Sequence, residues 1–147
     1  MNLFLLLIAA HLCGDVLSYS RFLATLKRQD EISARIKGIA LHCLIHGFFV
    51  LLWLWSVPWD LRLWAALYVY GTHFIIDFAR VPMERALIDK REFKILKRSD
   101  TLCYFLGKGD PQTRVFMKKY LGKWTLVNGI DQSLHVLAIA VFVFVLQ

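Results

Sequence analysis

Long apolar runs alternate along the chain with shorter polar segments that are mostly basic. A helix needs about 20 mostly apolar residues to cross a hydrocarbon core of about 30 Å. Four stretches reach that length, so the pattern predicts an all-α protein, an integral membrane four-helix bundle. The predicted spans cover residues 2–21, 36–55, 61–80 and 124–146, and a basic, amphipathic segment covers 81–123, all within a single transmembrane domain of residues 1–147.

The basic residues predict the direction of each helix. Of the 18 lysines and arginines, five lie between the first and second spans, one lies in the short turn after the second span, and twelve lie between the third and fourth. Basic loops stay in the cytoplasm, so we expect both termini and the short turn outside it, and the 81–123 segment inside. The apolar N-terminus lacks the basic start of a cleavable signal peptide, and we expect the first span to be retained.

The composition agrees with a lipid environment, since 58% of the residues are hydrophobic and the mean hydropathy is +0.52. The net charge of +7 would also suit a nucleic-acid-binding protein. Because the charges lie between apolar runs, we expect membrane lipid as the partner and do not expect nucleic acid. Cys13, Cys43 and Cys103 lack the spacing of a zinc or disulfide motif and are expected to be packing residues. The sequence leaves an oligomer open.

Ionisable residues inside the predicted spans carry the candidate chemistry. An aspartate near the centre of a membrane helix costs about 2.5 to 3.5 kcal/mol on insertion scales, so such residues indicate function. Each span contributes one pair with a spacing of four, which places both side chains on one helix face about one turn apart. The pairs are His11 with Asp15, His42 with His46, His73 with Asp77, and Asp131 with His135.

The alternating helix directions sort these eight residues into two layers. The layer predicted near the midplane contains His11, His46, His73 and His135. The layer one turn nearer the cytoplasm contains Asp15, His42, Asp77 and Asp131. No lysine or arginine is expected at that depth, and Arg21 and Arg80 are expected only to extend to the interface.

Imidazole and carboxylate groups are ligands of zinc, iron and manganese. Four-helix bundles build two-metal sites from such inward pairs, and two ions would offset the three carboxylates. We therefore predict that all eight residues bind one or two divalent transition metal ions, whose identity stays open. Gln132 is either a hydrogen-bond partner of the site or a polar residue near a helix start, and Gly14 and Gly47 are expected to permit close packing.

Such a site favours a metal-dependent hydrolase that acts on a lipid or on a lipid-linked phosphate or acyl group through a metal-activated water. Asp15, Asp77 or Asp131 would accept the proton of that water. One alternative is a transporter or channel for metal ions or protons that uses the same residues. A second is a structural or signalling subunit in which the polar residues only hold helices together.

Taken in order, HLCGD (11–15), HCLIHG (42–47), HFIID (73–77) and DQSLH (131–135) resemble a family of small bacterial and phage membrane proteins, domain of unknown function 3307. The resemblance covers three-quarters or more of the chain. It implies a four-helix protein of the bacterial inner (cytoplasmic) membrane in which these histidines and aspartates are shared, and it supplies no activity. Val16 and Tyr19 stand where many relatives have an aromatic residue and a glutamine, so no role of that glutamine is carried over. The motifs are also more distantly similar to membrane-bound metal-dependent hydrolases.

Overall fold

The computed structural model describes residues 2–17, 20–89, 92, 94–96 and 98–146, and this part of the chain is helical without a strand. The helices are α1 (Leu3–Leu17), α2 (Arg21–Leu26), α3 (Ile32–Trp53), α4 (Trp59–Leu87), α5 (Arg98–Phe105) and α6 (Pro111–Val145). The prediction of an all-α protein is confirmed. Tyr19 of the family comparison lies outside the described residues, as do Lys90, Arg91, Phe93 and Lys97 of the basic segment.

The helix ends follow from local sequence. Pro58 is the N-cap residue of α4, and the connection from α3 covers residues 54–58, close to the predicted hairpin turn. Asp110 caps α6, since its carboxylate accepts a hydrogen bond from the Thr113 amide at 2.9 Å and Pro111 occupies the first turn. Ser20 caps α2 in the same way through the Leu23 amide.

The four long helices form a closed bundle in which α1 contacts α3, α3 contacts α4, α4 contacts α6, and α6 contacts α1. Helix α2 folds back against α3. Gly38 on α3 makes this approach possible, because a Cβ atom there would lie 2.7 Å from the backbone carbon of Leu26. The short helix α2 therefore covers one end of the bundle.

The helices do not begin and end where the predicted spans do, and the bounds of the spans themselves stay a prediction. Helix α1 has 15 residues instead of a continuous span over 2–21, α4 continues past residue 80 to Leu87, and α6 begins at Pro111 instead of 124. The predicted 81–123 segment is divided among the end of α4, helix α5 and the start of α6. The early start of α6 has a packing reason, since Phe116, Met117 and Tyr120 bury themselves against Ile88 and Leu96.

Within the described residues, two helices are long and apolar enough to cross a membrane, namely α3 and α6. Helix α1 is apolar but shorter, and α4 is long enough but contains Asp60, Arg62, Asp77 and Arg80. Length and composition therefore support two spans, fewer than the four predicted. All four long helices nevertheless carry exposed large apolar side chains, for example Leu12, Phe48, Leu67 and Leu137.

Candidate metal centre

The bundle interior is built in layers that repeat the four-residue spacing of the sequence. On the side of the histidines away from α2, each of the four long helices buries an apolar residue one turn from its histidine. These residues are Leu7, Val50, Val69 and Ile139. Because each helix repeats its inward face every turn or so, the same register that places the apolar layer also places the polar ones.

The four-histidine layer is present as predicted. The ring centroids of His46 and His73 are 3.9 Å apart, and those of His73 and His135 are 4.0 Å apart. His11 completes the layer, with its centroid 5.1 Å from that of His46 and 5.0 Å from that of His135. All four side chains are buried, so the rings meet in the interior and not at the outer surface.

Several ring nitrogens in this layer lack a hydrogen-bond partner. His135 donates from Nδ1 to the carbonyl oxygen of Asp131 at 2.8 Å, so in the neutral ring the lone pair lies on Nε2. That Nε2 atom, both ring nitrogens of His73 and Nδ1 of His46 are buried and have no hydrogen-bond partner among the described residues. Buried polar atoms are normally paired, so these nitrogens are available to a ligand or an ion.

Asp15 lies among histidines in the carboxylate layer. Its carboxylate oxygens are 3.5 Å from Nε2 of His11, 3.4 Å from Nε2 of His46 and 3.9 Å from Nε2 of His42. Gln132 links it to α6, since its side-chain amide donates to Asp15 at 3.1 Å while its carbonyl oxygen lies 3.3 Å from Nε2 of His11. Gln132 is therefore a hydrogen-bond partner of the site, the first of the two roles considered for it.

Asp77 and Asp131 are paired with cations, and the expectation that none would reach them was wrong. Lys27 Nζ donates to Asp77 Oδ2 at 2.7 Å, and Arg80 Nη1 donates to Asp131 Oδ2 at 2.7 Å. Lys27 arrives because α2 folds back over the bundle end, and Arg80 reaches across to α6 instead of extending to the interface. Arg21 is exposed, as expected.

A buried ion-pair network continues from Arg80 beyond the predicted third span. Glu84 accepts from Arg80 at 2.8 Å and from both Nε and Nη2 of Arg28, at 2.7 and 2.8 Å. Burial by itself would raise the pKa of Glu84, but the hydrogen bonds and charges of Arg28 and Arg80 outweigh it and lower that pKa below its ordinary value. This network fastens the turn that follows α2 to α4.

Several polar residues around the two layers were not predicted from the sequence. Arg80 and Glu84 continue the face of His73 and Asp77 by steps of three and four, and Asn128, which accepts from Arg80 at 2.7 Å, precedes Asp131 by three. Helical spacing could have found these three. Helical spacing does not predict the positions of Lys27 and Arg28, because these residues reach the site only when α2 folds back against the bundle.

Two groups of side chains could hold a metal ion, which agrees with the predicted metal-binding chemistry. One contains Asp15, His42, His46 and His73, and the other contains His73, Asp77 and His135. Within each group the candidate ligand atoms all lie within 4.8 Å of one another. Six of the eight predicted ligands take part, and neither group includes His11 or Asp131, which have the partners described above.

A cavity of about 190 Å³ lies between these layers and α2. Histidines and aspartates of both layers line it together with Lys27, Arg28 and Arg80. Gly14 shapes the site from α1, because a Cβ atom there would lie 2.5 Å from Nδ1 of His46. Gly47 is less tightly packed, since a Cβ atom there would lie 3.8 Å from the Ala66 carbonyl oxygen. Close packing therefore depends on glycine at position 14, because only a residue without a side chain leaves room for the ring of His46, a candidate ligand.

The chain matches the family model described as "Protein of unknown function (DUF3307)" over residues 3–147. It belongs to this family. The DUF3307 match extends beyond the four motifs and includes both polar layers, together with α2 and the residues of the ion-pair network. No curated protein and no solved structure matches the chain. Because the description of DUF3307 names no activity, the function has to be inferred from the site itself.

Proposed function

We propose that the protein is a multi-pass membrane enzyme, a metal-dependent hydrolase whose substrate is a lipid or a lipid-linked phosphate or acyl group. One observation carries the proposal. Two overlapping groups of imidazoles and carboxylates lie at a cavity large enough for a reacting group, and five of their six residues, all except His46, line it. His73 and His135 bring unpartnered nitrogens to this cavity. The bundle thus supplies ligands, room and shelter from bulk water.

The distribution of side chains supports a four-span arrangement. Leu12, Phe48, Leu67 and Leu137, one from each long helix, are all more than half exposed, while the histidines between the helices are buried. Extended apolar surface is unfavourable in water and natural in lipid. The cations of the α2 end would face the cytoplasm, and both termini would lie outside it. A bacterial inner membrane is the location that the motif resemblance implies.

The ligand set suits one or two ions of zinc, iron or manganese. The first group offers three imidazoles and a carboxylate, and the second offers two imidazoles and a carboxylate. His73 belongs to both, so with two ions bound at least one would have no more than three protein ligands and would keep an open position. Such an ion would act as a Lewis acid and lower the pKa of a coordinated water to near 7.

Asp15 is the best placed of the three aspartates to accept a proton. Asp77 and Asp131 each accept a hydrogen bond from a cation at 2.7 Å, whereas the ion pairs of Asp15 among the described residues are with histidines alone. Its side chain is 24% exposed and lines the cavity. In hydrolysis the water oxygen bonds to phosphorus or to the acyl carbon, and the bond to the leaving oxygen breaks. Asp15 takes the proton of the water and returns it to that leaving oxygen.

The closed end of the cavity favours an enzyme over the transport alternative. Leu7, Val50, Val69 and Ile139 are at most 4% exposed and lie directly beyond the imidazole layer. A path for ions would have to continue through this apolar layer, where an ion has no polar partner. A purely structural network is disfavoured as well, because such a network would pair its own nitrogens.

The test is hydrolysis by protein reconstituted in phospholipid vesicles that contain phosphatidate. We expect release of inorganic phosphate or of fatty acid that stops with chelator and returns with added Zn²⁺ or Mn²⁺. The His73→Ala variant, purified in parallel, should release neither and so controls for contaminating enzymes. Equal release by this variant would refute the hydrolase, and metal influx into sealed vesicles without hydrolysis would favour a transporter.

A further inference from the structure

The charges around the cavity are nearly balanced before any ion binds. The carboxylates are Asp15, Asp77 and Asp131 on the wall and Glu84 behind it, and the cations are Lys27, Arg28 and Arg80. With neutral imidazoles, four negative charges therefore stand against three positive ones. One divalent ion makes the site positive, and a second makes it more so. A site of that charge in a low-dielectric interior requires an anion.

Lys27 is the cation most affected by a bound ion. Its ammonium lies 2.7 Å from Oδ2 of Asp77, and Asp77 also belongs with His73 and His135 to one of the two candidate metal groups. An ion on Asp77 would compete with Lys27 for the same carboxylate and repel the ammonium. Arg80 keeps its three partners, Glu84, Asp131 and Asn128, because neither metal group includes any of them.

We propose that Lys27, displaced from Asp77 by the metal, binds a phosphate group of the substrate. This inference rests on the proposed function and narrows its substrate class from phosphate or acyl to phosphate. An acyl ester is neutral and offers an ammonium only a weak acceptor, whereas a phosphate supplies the charge that the loaded cavity lacks and accepts charge-assisted hydrogen bonds.

The cavity volume fits this assignment. A water needs only about 10 to 15 Å³ of such space, so a cavity of about 190 Å³ has room for ions and one phosphate group. The remainder of a lipid substrate would lie outside. The phosphate group is therefore the shared chemistry, and either a lipid headgroup or free phosphate could present it.

The experiment uses the protein in phosphatidylcholine nanodiscs and measures the Tm and the binding of Mn²⁺. One arm adds inorganic phosphate, and the other includes dioleoylphosphatidate in the disc. We expect phosphate to raise the Tm of the Mn²⁺-loaded protein and not of the metal-free protein. An effect confined to the phosphatidate disc identifies a lipid headgroup, and an equal effect of inorganic phosphate identifies the phosphate group alone.

The Lys27→Gln variant tests the inference more strictly than the wild type alone, because its affinity for phosphate and its affinity for Mn²⁺ should change in opposite directions. Phosphate affinity should fall roughly tenfold with loss of a charge-assisted hydrogen bond, whereas Mn²⁺ affinity should rise because Asp77 loses a competing cation. Lys27→Arg keeps the charge and should retain phosphate binding. The matched control is Lys37→Gln, which removes an exposed lysine of α3 that does not line the cavity and should change neither affinity.

Three outcomes would overturn the inference. If Mn²⁺ binds and neither phosphate source changes the Tm, the metal site stands and an acyl substrate replaces phosphate. If both affinities fall together in Lys27→Gln, Lys27 is only structural. If the wild type binds no Mn²⁺, Zn²⁺ or iron, the proposed function fails, and this inference fails with it.

Discussion

The two polar layers of the bundle lie one helical turn apart, yet they differ in how their polar atoms are paired. In the carboxylate layer, Asp77 and Asp131 each have a cation at 2.7 Å, and Asp15 accepts from Gln132. In the imidazole layer, His73 has no hydrogen-bond partner among the described residues at either ring nitrogen, and neither Nδ1 of His46 nor Nε2 of His135 has one. The protein thus neutralises much of its own negative charge. The case for a metal consequently depends on the nitrogens and not on the carboxylates.

Replacement of His73 should have the largest effect, since His73 belongs to both metal groups. We expect His73→Ala to reduce metal affinity by more than the roughly 10- to 100-fold that loss of an outer hydrogen-bond partner produces. His11→Ala is the matched control, because His11 lies in the same layer but in neither group. Metal titration of both variants measures the difference. An equal loss in the two would mean that the layer acts as one undivided site.

Asp131→Asn should affect stability more than metal binding. The substitution leaves the buried Arg80 without its carboxylate on α6, and removal of one partner from a buried ion pair costs about 3 kcal/mol or more. Asp60→Asn, at an exposed position of α4, should stay within about 0.5 kcal/mol. Unfolding in detergent measures both. If Asp131→Asn instead abolishes metal binding at unchanged stability, Asp131 is a metal ligand and not the ion-pair partner of Arg80 described here.

Gly14→Ala tests the imidazole layer through its packing. The added methyl group would lie 2.5 Å from Nδ1 of His46, so we expect a loss of about 1 to 3 kcal/mol in stability and weaker metal binding. Gly71→Ala on α4 meets no atom within 4 Å and should be neutral or stabilising by up to about 1 kcal/mol. Thermal unfolding and metal titration of the two variants make the comparison. Unchanged metal binding in Gly14→Ala would show that the position of His46 is unimportant.

The last prediction concerns the pH dependence of the ion pairs at the α2 end. The pKa of Glu84 lies below its ordinary value of 4.5 in the folded protein, so its contribution to stability is complete above about pH 5 and is lost as the pH falls through the folded-state pKa. The stability difference between wild type and Glu84→Gln should therefore be largest near neutral pH and shrink on acidification. Unfolding measured from pH 7 to pH 3 checks this. A difference that grows in acid would contradict the assignment.

The layers could be predicted from sequence because their cause is local. A spacing of four on each helix fixes which side chains share a face, and alternating helix direction brings His11, His46, His73 and His135 to one depth. The cations could not be predicted in the same way. Lys27 reaches Asp77 only because Gly38 lets α2 lie against α3, and that contact joins parts of the chain that periodicity treats separately.

The helix lengths also depend partly on local sequence and partly on tertiary contacts. The apolar run of α6 predicted a start near 124, but packing of Phe116 and Tyr120 against the residues after α4 extends the helix back to Pro111. The run of α1 predicted a span to residue 21, whereas the helix ends at Leu17 and the chain turns into α2. Hydropathy therefore indicated where the long helices lie, whereas tertiary contacts determine where these helices begin and end.

The most direct test of the metal site is the metal content of the wild-type protein purified without chelator, measured beside His73→Ala by elemental analysis. We expect one or two equivalents of zinc, iron or manganese per chain in the wild type and a near-complete loss of this metal in the His73→Ala variant. A wild type with less than about half an equivalent of any transition metal would contradict it, since a site of micromolar affinity or better would fill under these conditions.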